Sequence, residues 1–152
     1  MPPSAPRNPA PSPLARTLLT FIGTTRAAFG ICCLVAPELA FQIVGLSSPL
    51  SGAASLIARQ FGVREIVIGA GLVVAERQHT TSIAAGQGDR DSRGLKRAIW
   101  LSAATDGLDL VALGLAFAFA EEGVLDTPML CKMAETAALY AIAGLQIAWW
   151  YR

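Results

Sequence analysis

Apolar residues fall into four long blocks, separated by short stretches richer in glycine, proline and charge. From Leu14 to Val35 the chain is apolar apart from Arg16, Arg26 and a few small hydroxyl residues. At about 1.5 Å of rise per residue, a helix over this block just crosses a hydrocarbon core of about 30 Å. Similar blocks run over Gly52–Ala75, Leu95–Ala120 and Met129–Trp150. The pattern predicts an all-α chain, a polytopic four-helix transmembrane bundle over residues 14–152. A cleaved signal sequence is the competing account of the first block, and Arg26 in its middle argues against it, because the apolar region of such a peptide is uncharged. Residues 1–13 hold six of the nine prolines and no apolar run, and they read as a disordered tail.

The connections differ in character. Glu38–Leu50, with Phe41, Ile43 and Val44, is short and apolar enough to lie along an interface or dip into the bundle. Glu76–Gly94, with Gly86, Gly88, Asp89, Arg90, Asp91 and Arg93, reads as a flexible polar loop in water, which makes His79 a solvated residue. On the side of the amino terminus stand Arg7, Arg16, Arg77, Arg90, Arg93, Lys96, Arg97 and Arg152. The opposite loops carry no Lys or Arg and hold Glu38, Glu121, Glu122 and Asp126. Positive loops stay inside, so both termini are expected in the cytoplasm. Trp100, Trp149, Trp150 and Tyr151 sit at the same inner level, where aromatic rings favour the headgroup layer.

Composition agrees. Hydrophobic residues make up 53% and charged residues 15%, with a mean hydropathy of +0.49, against about 25% charged in an average soluble domain. A net charge of +1 gives no footprint for nucleic acid, and three cysteines make neither a disulfide framework nor a spaced zinc site. Cys32 and Cys33 lie at about the depth of Cys131; a disulfide is one account of them, and small apolar packing is preferred. P-loop, nucleophile-elbow, paired-histidine and haem-attachment motifs are absent, so neither cofactor nor metal is expected.

The chemistry lies in ionisable residues inside the blocks: Arg26, Arg59, Arg64, Glu65, Asp106 and Asp109. Each costs about 2.5 to 3.5 kcal/mol at the centre of a membrane helix, roughly 15 to 20 kcal/mol if all six were unpaired. They must therefore face one another or a wet cavity. Ser102, Asp106 and Asp109 form one stripe at i, i+4 and i+7; unless an arginine separates the two carboxylates, they would act as a coupled acid and base. Ala58, Gly62, Glu65, Gly69 and Leu72 form a second stripe, and Gly23, Arg26 and Gly30 a third, with glycine allowing close helix approach. Arg26 with Asp106 is the first-choice pair. Arg59 and Arg64 lie about 140° apart on their helix and serve different partners. In the fourth block Lys132 and Glu135 suit an end-of-helix ion pair, and Tyr140 lies near the midplane.

Taken together, Arg26, Gly30, Pro37 and Gly45, the segment Ala58-Arg59-Gln60-Phe61-Gly62-Val63-Arg64-Glu65-Ile66-Val67-Ile68-Gly69, and Asp106-Gly107-Leu108-Asp109 resemble a family of small four-helix integral-membrane proteins, grouped as a domain of unknown function, number 4267. The resemblance spans about Leu14 to Trp150 and is most specific in residues 58–69. It implies a fungal setting among secondary-metabolite genes, a lipophilic polyketide or terpenoid intermediate, and the endoplasmic reticulum membrane. It supplies no catalytic residues.

Three functions remain open at this point. The favoured one is a membrane-embedded cyclase or isomerase for a lipophilic small molecule, with Asp106, Glu65 and Asp109 as acid–base groups and Arg26, Arg59, Arg64 and Tyr140 binding substrate or stabilising negative charge. Another is a non-catalytic accessory protein, partnered by pathway enzymes or a homo-oligomer, whose buried charges only fix helix register. A small transporter or channel subunit ranks last, because four spans without internal repeats are few.

Overall fold

The computed structural model describes residues 12–45, 50–86, 88–119 and 127–150. They form five helices: α1 (Pro13–Val35), α2 (Pro37–Ile43), α3 (Gly52–Ala84), α4 (Gly88–Phe119) and α5 (Thr127–Trp150). No strand occurs among the described residues. Residues 1–11 of the expected tail, residues 120–126 with the expected outer-loop acids, Tyr151, and the side chains of Cys131, Lys132 and Trp150 lie outside the description.

Local chemistry sets the helix ends. Ser12 caps α1, its hydroxyl accepting from the Ala15 N–H at 3.2 Å, and Pro13 follows at the first helical position, where a missing N–H costs nothing. Ser12 and Pro13, expected in the tail, therefore belong to the start of α1. Pro37 disfavours helical backbone at Ala36, which takes φ −137°, and the chain restarts there as α2. The first part of the apolar connection is thus a short helix, with Pro37 and Ala40 buried and Leu39 and Ile43 exposed, while residues 46–49 lie outside the described residues. Ser51 caps α3 as Ser12 caps α1.

The largest departure from the sequence pattern is the length of α3 and α4. Polar residues 76–84 continue α3, and α4 begins at Gly88, so the expected flexible loop shrinks to the turn around Gly86, at φ 75°. Polarity does not break a helix: no Pro or Gly interrupts 72–85, and the Thr81 hydroxyl donates back to the Arg77 carbonyl at 2.9 Å. Glu76 and His79 are buried, contrary to the expectation of solvated residues; at Glu76 the extension still meets α1, through Arg16.

Helix α1 packs on α3, α3 on α4 and α4 on α5, while α5 returns to touch α1, so α1 and α4 face each other diagonally. Ala15, Leu19, Leu72, Leu95, Ile99, Ile147 and Ala148 fill an apolar layer at the end where α1 begins. Farther along, α1 and α3 run antiparallel at backbone contact. A Cβ on Gly30 would lie 2.5 Å from the Gly62 carbonyl oxygen, one on Gly62 2.6 Å from that of Gly30, and Gly23 and Gly69 repeat this reciprocity. Each glycine pair has the same spacing, 23–26–30 and 62–65–69, so Arg26 and Glu65 are set opposite each other between the two contacts.

The exterior is apolar. Phe21, Ile31, Leu56, Ile57, Val63, Val67, Val74, Leu101, Leu108, Val111, Leu115, Leu139, Ile142 and Leu145 are all exposed. Hydroxyls on this surface are satisfied within their own helices: Thr24 donates to the Thr20 carbonyl at 2.7 Å and Thr105 to that of Leu101 at 2.8 Å. Among the described residues one helix, α1, is long and apolar enough to cross a membrane by length and composition, and only 28% of its apolar stretch is buried.

Candidate functional site: a buried arginine–carboxylate network

Arg26 extends from the middle of α1 across the diagonal of the bundle to α4. Its Nη1 and Nη2 donate to the two carboxylate oxygens of Asp106 at 2.7 and 2.8 Å. On its other edge, Nη2 donates to Glu65 Oε1 at 3.0 Å and Nε lies 2.8 Å from Oε2. Nη1 also donates to the Ser102 hydroxyl at 3.3 Å. The four Nη N–H groups of the planar fork each donate to an oxygen, while Nε contacts Glu65 as an ion pair without a hydrogen bond of its own; Tyr140 of α5 covers the flat side with the ring centre 4.9 Å from Cζ. Arg26, Glu65 and Asp106 are 2%, 3% and 2% exposed.

A second arginine extends the network outward. Arg64 Nη2 donates to Glu65 Oε1 at 3.0 Å, Nη1 donates to Asp109 Oδ1, and Phe61 lies under the guanidinium at 4.5 Å. Arg64 and Asp109 are less enclosed, with side chains 31% and 27% exposed. Buried ions are tolerated where opposite charge and directed hydrogen bonds offset desolvation, and the forked arginines meet that condition.

Five of the six expected charges are gathered in one network, with the first-choice pair at its centre: Arg26 does pair with Asp106, and Glu65 joins it. Asp109 belongs through Arg64. The two carboxylates of α4 each have an arginine of their own, which is the exception under which they would not behave as a coupled acid and base. Arg59 is set apart. It is exposed in a groove with Glu38, Gln42 and Ser55 at the far ends of α1 and α3, because its 140° offset from Arg64 turns it away from α4. Its departure leaves two guanidiniums against three carboxylates. Asp109 has the spare capacity: among the described residues, nothing donates to its Oδ2.

One polar layer was not anticipated. Arg16 Nε donates to Glu76 Oε1 at 3.0 Å, and the Thr80 hydroxyl donates to the same oxygen at 2.8 Å. The layer lies about 15 Å from the Arg26 level along α1, ten residues at 1.5 Å each. Extending the Glu65–Gly69–Leu72 stripe would have found Glu76 and His79, which share its face by helical spacing. Arg16→Ala is expected to lower stability by less than about 1 kcal/mol, because the side chain is 44% exposed and solvent screens the pair. Thermal melting of the purified variant checks this, and a loss as large as that from Arg26 substitution would contradict it.

No metal-holding group of three His, Cys, Asp or Glu occurs among the described residues. Cys33 is buried and Cys32 half-buried, with no disulfide among the described residues; the expected choice between packing and a bond to Cys131 falls outside the described side chains.

No curated protein and no solved structure matches the chain. A family model, described as domain of unknown function DUF4267, matches residues 23–146, the stretch from the first close-contact glycine through Arg26, Glu65, Asp106 and Tyr140 to Gln146. The chain belongs to this domain-of-unknown-function family.

Proposed function

We propose that the chain is a polytopic membrane protein in which α1, α3, α4 and α5 cross the bilayer, both termini lie in the cytoplasm, and the buried network fixes the bundle for a non-catalytic accessory role beside enzymes of a lipophilic polyketide or terpenoid pathway, at the endoplasmic reticulum membrane. The observation carrying this reading is the inverted polarity: guanidinium and carboxylates fill the centre while large apolar side chains cover the outside. Soluble monomers rarely expose apolar patches beyond a few hundred Å². Exposed Trp100 and Trp149 at the end where α1 begins suit an interfacial aromatic belt. Membranes washed with alkaline carbonate should retain the protein, and trypsin should cut at Arg90 or Arg93 from the cytoplasmic face only. Release by carbonate, or cleavage only from the opposite face, would refute the spans or their orientation.

The accessory role is favoured over catalysis because both oxygens of Asp106 are held by Arg26 and neither Asp106 nor Glu65 is open to a ligand. The enzyme reading has one observation in its favour: Asp109 is partly exposed, receives no hydrogen bond at Oδ2 from the described residues and lies beside Arg64, so an acid–base reaction on a lipophilic substrate would centre there. Deletion of the gene, complemented with wild type or Asp109→Asn, followed by mass spectrometry of lipophilic metabolites, separates the two. A general fall in products that both versions restore equally supports the accessory role. Accumulation of one precursor that only wild type clears supports the enzyme.

A further inference from the structure

Arg64 and Asp109 are where the charged network reaches the outside of the bundle, in the seam between α3 and α4. On either side the surface is apolar, with Val63 and Val67 exposed on α3 and Leu108 and Val111 on α4. Along the seam the side chains become polar or small: Gln60, four residues before Arg64, is exposed, as is Ala112, three residues after Asp109. Lipid supplies no hydrogen-bond partner for this strip, and the free Oδ2 of Asp109 lacks a donor from the described residues.

We propose that this seam is the contact surface for a second copy of the chain, related by a two-fold axis along the membrane normal, with Arg64 of each copy meeting Asp109 of the other. The inference rests on the membrane reading above. Charge complementarity identifies the occupant. A cation on one helix beside an anion on the next becomes its own complement after a rotation of 180°, which brings α3 of one copy opposite α4 of the other at the same depth. The spare acceptor of Asp109 then receives the second guanidinium, and valines and leucines flanking the strip pack across the axis.

The test uses two differently tagged copies of the full chain, co-expressed, extracted with their surrounding lipid and scored for co-purification. Wild-type copies should associate. Arg64→Asp paired with itself, and Asp109→Arg paired with itself, should not, because like charges then face each other. Mixing Arg64→Asp with Asp109→Arg should recover association, since carboxylates of one copy meet guanidiniums of the other. The milder Arg64→Gln/Asp109→Asn chain should associate about tenfold more weakly on dilution in lipid, the effect of losing two intramembrane polar contacts. If the reversals fail to accumulate, this neutral chain decides alone, and unchanged association overturns the proposal. So does a mixed pair no better than either reversal alone. Wild type that resists carbonate yet stays monomeric overturns the seam only, whereas wild type released by carbonate overturns the membrane reading and the seam with it.

Discussion

Arg26→Met should leave little or no folded protein. The substitution removes the cation and five donors while Glu65 and Asp106 remain facing each other at 3% and 2% exposure. Breaking a buried ion pair by deleting one partner costs about 3 to 5 kcal/mol, a large share of a typical total stability of about 5 to 15 kcal/mol. Arg26→Lys keeps the charge but replaces the planar fork by one ammonium, which cannot reach Asp106 and Glu65 in bidentate fashion together, so it should fall between the two. Removing the whole network, as in Arg26→Met/Glu65→Met/Asp106→Leu, should recover much of the loss, since replacing all members of a buried ionic group is often close to neutral. Melting followed by size-exclusion elution in mild detergent reads all three. An Arg26→Met protein melting within a few degrees of wild type would show that the network does not hold the bundle.

Gly62→Ala should be the next most damaging single change outside the charges. Its Cβ would lie 2.6 Å from the Gly30 carbonyl oxygen and 3.0 Å from the Leu34 backbone nitrogen, atoms that cannot rotate away. The helices must separate, at about 1 to 3 kcal/mol for overpacking, and separation also stretches the Arg26–Glu65 contacts one turn away. Gly94→Ala is the matched control: nothing lies within 4 Å of its added Cβ, and better helix propensity should raise stability by up to about 1 kcal/mol. Equal melting shifts for the two variants would remove the case for a backbone contact between α1 and α3.

The two expectations share a cause that could be read from the sequence. Apolar blocks with charges at their middles require those charges to meet, and glycines three or four residues to either side of Arg26 and Glu65 mark the faces that come together. Arg26 with Asp106 followed from depth and chemistry, since a forked cation is the economical partner for a carboxylate in a dry interior. Two things misled. Polarity after Ala75 suggested a loop, although nothing in residues 76–84 forbids a helix, and Glu76 and His79 were consequently placed in water. The cost of an unpaired ion also placed Arg59 among the charges that must be sheltered, whereas its offset from Arg64, already read as giving it a different partner, takes it to the exposed groove beside Glu38.

By itself, then, the sequence determined the class of the fold, the helical blocks and the need for the midspan charges Arg26, Glu65 and Asp106 to be buried together, because hydrophobic period and the cost of an unpaired ion are properties of the chain alone. Tertiary structure decided how the charges were shared. Only the diagonal placement of α1 and α4 lets one guanidinium hold both Asp106 and Glu65, and only the order of helices around the ring leaves Arg64 and Asp109 at an outer seam. Those outcomes depend on which helix neighbours which, and a periodic pattern gives each helix a face without naming the helix that meets it.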